Sequence, residues 1–286
     1  MAKWFIEQRK SAQPLFLQIG FPGPHPPYDP PARLLDLYRQ AEFSIPQKIE
    51  EELSAQPPPH AALRREFINN NHDAVRWHER PAREQLLRLR RHYAANVTLI
   101  DEQIGEILAL LQQNGYLDDS IVIFTSDHGD ALGDHGHIQK WTMYDIITRV
   151  PTIVWAPGRI AQGRRVSELI QQMDLAPMLF ELAGVEPPPS GPAISALPLA
   201  MGDGKGREVV FAEHSADNIL REVKLVTMVR TESWKLVHYL DQPWGELYDL
   251  QNDPGEVRNL WSVPEHKHRK SELLDILREW RIRETL

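Results

Sequence analysis

The 286-residue sequence contains no cysteine, which excludes disulfides, thiolate metal sites and a cysteine nucleophile within this stretch. The same absence leaves the redox compartment open, and no localisation is assigned. No apolar run approaches the ~20 residues needed to cross a bilayer, and the opening "MAKWFIEQRKSAQ" lacks the apolar core of a signal peptide. These residues therefore predict a soluble chain with no membrane partner. Basic charge is also short: 32 Lys and Arg against 40 Asp and Glu leave a formal charge of −8. That balance argues against a phosphate-backbone binder, so nucleic acid is not an expected partner. The basic cluster "RLRRH" at 88–92 falls in a helical pattern and reads as a solvated helix face. Internal repeats and low-complexity tails are missing too.

What is present is a succession of strand and helix signals in a chain long enough to bury a substantial core. "PLFLQIG" (14–20) is compact and apolar and predicts a buried strand. It runs into "FPGPHPPYDPP", whose prolines predict an extended backbone around His25. The stretch 32–82 is polar and proline-broken, and predicts a long surface excursion with at most short helices. Leu86, Tyr93, Val97, Ile100, Ile104, Leu108 and Leu111 recur at steps of three, four or seven, which predicts a helix with that stripe toward the core and Asn114-Gly115 as its stop. "SIVIFTSD" (120–127) and "VPTIVWAPG" (150–158) are near-continuous in apolar residues and predict strands covered on both faces. "MDLAPMLFELAGV" predicts a helix ending at Gly184. This alternation predicts an α/β architecture with helices on the faces of a sheet. Beyond the proline-rich hinge 186–198, "EVVFAEH", "LVTMVRT", "SWKLVHYL" and "GELYDL" predict an antiparallel meander. A helix through Leu273, Leu274, Leu277 and Trp280 closes the chain.

The densest chemistry is "SDHGDALGDHGHIQK" (126–140). In an α/β sheet, ligands bind beyond the carboxyl ends of the strands, which is where Asp127 and His128 fall. Successive strand residues point to opposite faces, so both reach one ion only where the strand breaks, and Gly129 allows that break. Carboxylate plus imidazole is a usable metal pair. On "DHG" alone the plainer reading, Asp127 as a turn cap and His128 satisfying a local carbonyl, outweighs metal binding. Lys140 follows thirteen residues after Asp127, and "VPTIVWAPG" begins ten residues later.

In that order the segments resemble the sulfatase family of the alkaline phosphatase superfamily, whose members carry D-[HN]-G-x-x-L-G-x-H-G, then a lysine, then a strand of the type VP-hydrophobic-PG. "PLFLQIGFPGPHPPYDPP", "YAANVTLIDEQIGEIL" and "VRTESWKLVHYL…GELYDLQNDPGEVRNL" are similar to further family segments. The likeness covers nearly the whole chain, with 32–82 unaligned. It implies an α/β/α sandwich of alkaline-phosphatase-like type at 1–198, part of the catalytic domain, and a small C-terminal antiparallel sheet with one helix at 199–286. It implies metal-dependent hydrolysis of a sulfate ester on a small aryl, choline or sugar sulfate. Position by position, the metal ligands fall on Asp127 and His128, the sulfate-binding lysine on Lys140 and the substrate-contacting histidine on His25. His25 and Lys140 are thus the catalytic and substrate-binding candidates. These roles make physical sense, because a divalent cation and a lysine put positive charge where negative charge builds up. His135 keeps the motif's histidine, either bracing the loop or touching substrate; Asp134, His137, Trp77 and His78 receive no firm role. The implied cation is Ca²⁺ first.

The sequence departs from the family at its start. The family's formylglycine nucleophile comes from Cys- or Ser-x-Pro-x-Arg, which this sequence lacks; "SIPQK" (44–48) has lysine where arginine belongs and lies after the PHPP segment. The nucleophile and two further metal-binding aspartates are therefore expected upstream of residue 1, and the 286 residues are expected to be a C-terminal portion. Two ligands hold a hard cation weakly, so the chain alone is expected to bind metal weakly and turn over no sulfate ester. An exposed sheet edge and apolar face are expected to give poor solubility or oligomers. Two other readings stay open. One is a phosphonate monoester or phosphodiester hydrolase of the same superfamily, with Mn²⁺ or Zn²⁺, which imidazole suits better than Ca²⁺. The other is a non-catalytic remnant that binds an anionic ligand or a partner.

Overall fold

The computed structural model describes residues 1–9, 13–45, 50–186, 188 and 191–284. In chain order the helices are α1 (Ala2–Gln8), α2 (Ala32–Leu35), α3 (Glu50–Ala55), α4 (Pro58–Asn69), α5 (Arg83–Gln113), α6 (Asp145–Thr148), α7 (Leu175–Leu182), α8 (Leu197–Met201) and α9 (Lys267–Glu284). The strands are β1 (Val122–Thr125), β2 (Thr152–Trp155), β3 (Val209–Ser215), β4 (Leu225–Thr231), β5 (Trp234–Tyr239) and β6 (Gly245–Asp249). The chain gathers into two compact units, Met1–Gln47 with Phe67–Ser120 and Leu132–Gln139, and Lys48–Glu66 with Ile121–Ala131 and Lys140–Leu286.

The first unit is built around α5. Its N-terminus is closed by Gln85, whose side-chain oxygen accepts from the Ala82 N–H at 2.8 Å, and it stops before Asn114-Gly115 as the sequence predicts. The buried residues are Leu86, Leu87, Ala95, Asn96 and Ile107, whereas Val97 is 45% exposed. A single buried stripe is therefore wrong. Neighbours approach α5 from several sides: Lys3 of α1 reaches Gln103, Arg33 of α2 reaches Glu102, and Tyr38 bonds Thr98. The "RLRRH" face is likewise not simply solvated. Arg90 donates to Asp134 Oδ1 at 2.8 Å and to the Leu132 carbonyl at 3.2 Å, Arg91 to the Ala41 carbonyl at 3.0 Å, and the His92 Nδ1 lies 2.9 Å from the Tyr28 carbonyl. Long basic side chains bury their stems while their heads find acceptors.

Two further expectations fail for identifiable reasons. Residues 14–20 form no strand among the described residues, and Phe16 is 77% exposed. An apolar run sets a side-chain period but not a ladder partner. Conversely, the "PPPH" that reads as a breaker starts the twelve-residue helix α4, because proline in a first helical turn lacks only an N–H that would be unpaired anyway. Leu63 and Phe67 of α4 are buried.

In the second unit β1 and β2 pair antiparallel, Val122 opposite Trp155 and Phe124 opposite Ile153. One face, with Ile121, Ile123 and Val154, packs on Leu175, Met178 and Leu182 of α7. The other exposes Phe124, Trp155 and Ile153, the last at 61%, so the expected cover on both faces is present on one. The predicted meander is there, in the order β3-β4-β5-β6, all antiparallel. Period-two alternation divides its side chains. Val229, Leu236 and Leu247 face α9 through Leu273 and Leu277, with Phe211 stacked on Trp280 at 4.6 Å. Val226, Met228, Val237 and Tyr239 face the other way and enclose Met143. No described helix is long and apolar enough to cross a membrane.

Candidate functional site

Beyond Thr125, where β1 ends, the chain turns through Ser126. The Ser126 hydroxyl donates to the His128 carbonyl at 2.9 Å, and the His128 N–H donates to Asp127 Oδ1 at 3.0 Å. The Gly129 N–H donates to the Ile147 carbonyl at 2.8 Å. A Cβ on Gly129 would lie 1.9 Å from the Ile146 carbonyl oxygen, so only glycine permits this close approach. The strand break predicted at Gly129 is thus tied to the middle of α6.

That turn brings Asp127 and His128 onto one side. The His128 Nδ1 lies 2.8 Å from the Gly129 carbonyl. A carbonyl only accepts, so Nδ1 carries the proton and Nε2 a lone pair. Lys140 Nζ donates to that Nε2 at 2.9 Å, and Asp127 Oδ2 lies 3.7 Å from it. Three sequence-predicted residues therefore lie together in the second unit. Burial pushes the Asp127 carboxyl up, but the pull of His128, its backbone N–H and Lys140 outweighs it and holds the group below the usual carboxylate range. An exposed ionised carboxylate and an imidazole lone pair are the right donors for a divalent cation, as part of its ligand set. No group of three or more His, Asp or Glu side chains placed to hold a metal occurs among the described residues.

The backbone around Lys140 is unusual. Gln139 and Trp141, on either side of it, have φ of 59° and 79°, a left-handed conformation that costs an L-residue ~1–2 kcal/mol. Trp141 is held there by its indole N–H, which donates to Asp217 Oδ2 at 2.6 Å. Lys140 Nζ lies 5.6 Å from the Trp141 ring centre.

His25 and His135 belong to the first unit. The His25 loop turns rather than running extended: its N–H donates to the Pro22 carbonyl at 3.2 Å, and its Nδ1 lies 2.9 Å from the Pro26 carbonyl. The peptide bonds before Pro24 and Pro27 are cis. His135 is half-buried, with φ of 53°, in the short turn Asp134–Gly136. Arg90 fixes Asp134 in that turn, a role the helical pattern of "RLRRH" concealed. Gly133, at φ 97°, opens it, where a Cβ would meet Leu86 at 2.5 Å. His137 and Trp77 are buried. Pro46, Gln47 and Lys48 of "SIPQK" lie outside the described residues. Sequence reasoning also missed Asp217; its loop carried no signal that it would reach Trp141.

The chain is 34% identical over 194 residues to an N-acetylglucosamine-6-O-sulfatase of Bacteroides thetaiotaomicron, covering 66% of this chain and 35% of that protein. It is 28% identical to an arylsulfatase of Clostridium perfringens, covering 98% of this chain and 55% of that one. The crystal structure of a phosphonate monoester hydrolase of Agrobacterium radiobacter superposes with a TM-score of 0.82 at 25% identity, over 98% of this chain and 58% of its own. The chain thus spans between about a third and somewhat over half the length of these proteins. The family model for N-sulphoglucosamine sulphohydrolase, C-terminal, matches residues 133–283. The sulfatase family model matches residues 1–185, and with it the chain belongs to the sulfatase family of the alkaline phosphatase superfamily.

Proposed function

We propose that this chain binds a sulfate monoester at Lys140, beside the Asp127–His128 pair, and that the whole protein hydrolyses that ester. The observation that carries the reading is the placing of Lys140 Nζ 2.9 Å from His128 Nε2, next to the Asp127 carboxylate. Sulfatases generally use a divalent metal. Here Asp127 and His128 would hold it, with Ca²⁺ first among candidates, and when bound it would neutralise sulfate oxygens. Lys140 then donates to a sulfate oxygen instead of to His128. His25 is the proposed contact to a sulfate or leaving-group oxygen, and His135 supports its loop. The sequence has no cysteine and no Ser-x-Pro-x-Arg, so no formylglycine is assigned within it. The division into a catalytic part at 1–198 and a subdomain at 199–286 is part of the same proposal; the sheet β3–β6 falls wholly within the second. The relatives are named for acting on a sulfated sugar and on aryl sulfates, and a sugar or aryl sulfate is the proposed substrate class.

The test is calorimetric titration of the purified chain with N-acetylglucosamine 6-sulfate in Ca²⁺ or Mn²⁺. Saturable binding is expected, weakened about tenfold or more in Lys140→Ala, the effect of losing a charged hydrogen bond worth ~1.5–3 kcal/mol. Absence of binding, or binding indifferent to Lys140, contradicts the reading. The likeness to the phosphonate monoester hydrolase favours one rival. Under it, a phosphonate monoester binds more tightly than the sulfate ester, and Mn²⁺ or Zn²⁺ supports binding better than Ca²⁺.

A further inference from the structure

The face of the β3–β6 sheet turned away from α9 carries an unusual set of charges. Lys235 is fully buried. Its Nζ is ion-paired with Asp145 Oδ1 and Glu256 Oε1, each 2.5 Å away, and donates to the Met143 carbonyl at 2.9 Å. Arg230, directly opposite Lys235 across β4–β5, grips both oxygens of Asp145 at 3.2 and 3.1 Å. Glu256 Oε2 accepts from the Asp145 N–H at 2.6 Å. Glu256 holds φ of 54°, a strained state that persists only where the surroundings over-determine it. Burying an ionic cluster adds little net stability compared with apolar packing, and its best-attested benefit is a fixed geometry.

What that geometry fixes is the segment leaving Lys140. Trp141 is tied to Asp217, Met143 to Lys235, and Asp145 to Lys235, Arg230 and Glu256. Two residues later, the Ile147 carbonyl receives the Gly129 N–H, so the same segment also holds the turn that presents Asp127 and His128. We propose that Glu256, with Lys235 and Arg230, is a positioning residue for sulfate binding: the C-terminal sheet sets where Lys140 stands relative to Asp127 and His128. This rests on the proposed sulfate-binding role of Lys140.

The experiment compares Glu256→Ala with Glu256→Gln, which keeps an acceptor for the Asp145 N–H. A third variant, Leu247→Ala, lies on the opposite face of the same sheet. Each is titrated with N-acetylglucosamine 6-sulfate in Mn²⁺ at a temperature where circular dichroism shows it fully folded. Glu256→Ala is expected to bind about tenfold more weakly, the lower end for loss of a supporting partner. Glu256→Gln should stay within about twofold of wild type, and Leu247→Ala should lose thermal stability with unchanged affinity. If Glu256→Ala does not fold, Arg230→Met replaces it, with the same expected weakening. Unchanged affinity in the folded variants, or equal losses in Leu247→Ala and Glu256→Ala, overturns the proposal while leaving the Lys140 site standing. A wild-type chain that binds no sulfate ester overturns both.

Discussion

At the scale of single residues, close contacts and buried charges make the sharpest demands. Gly129→Ala forces a methyl group against the Ile146 carbonyl, and is expected to cost about 1–3 kcal/mol by urea unfolding, as overpacking does. The buried carboxylates make pH-dependent demands of opposite sign. Burial pushes Glu246 up, but His60 and the hydroxyls of Tyr239 and Tyr248 outweigh it, so its carboxyl sits below its ordinary value. A lowered carboxyl contributes stability above the unfolded value, about 4.3, and loses it as pH falls through the folded value. Glu256 is the reverse: burial raises it beyond what Lys235 offsets. Its contribution is therefore most favourable at low pH and declines as pH rises through about 4.3 toward the folded value. Thermal melts from pH 4 to 7 should show Glu246→Gln falling progressively further below wild type, and Glu256→Gln gaining on it. Parallel curves would contradict the assignment. These groups were only partly legible in the sequence. Lys235 stands at an alternating strand position with Val237 and Tyr239, which marks it as inward. Its partners Asp145 and Glu256 are far along the chain, and no local pattern joins them.

Among the elements, those set by a local period were readable and those set by partners were not. Helices α5 and α9 and the four-strand meander follow from residues within one or two turns or one strand. The burial around α5 does not, because it depends on which segments surround the helix. Residues 14–20 failed for the same reason, and α4 failed because its prolines look alike whether they break a helix or begin one. Asp174, which precedes α7, is 1% exposed and is gripped by Arg207 at 2.7 and 2.5 Å. It also accepts the N–H groups of Gln171 and Ile194. Arg207→Met leaves that carboxylate buried and unpaired, which is expected to cost about 3–5 kcal/mol; a shift under 1 kcal/mol or so in urea unfolding would place the pair among weak surface bridges. The open face of β1–β2 is a separate matter. Ile153→Lys should lower binding of a hydrophobic dye and raise the soluble fraction, since that face is uncovered by any described element; unchanged dye binding would locate the apolar surface elsewhere.

For the whole molecule, the family and the Asp127, His128 and Lys140 grouping were legible because one short motif holds all three. Their mutual geometry was not, since it depends on Gly129 meeting α6 and on the C-terminal sheet holding residues 141–145. The central claim is that these three residues form one site for a divalent cation and a sulfate ester. The most direct measurement is a nuclear magnetic resonance titration of the labelled chain with Mn²⁺ and then with N-acetylglucosamine 6-sulfate. Selective broadening of the Asp127 and His128 signals by Mn²⁺, followed by a shift of the Lys140 side-chain signal on adding the ester, is the predicted result. Broadening centred on other carboxylates, or an ester that leaves Lys140 unmoved, would contradict it.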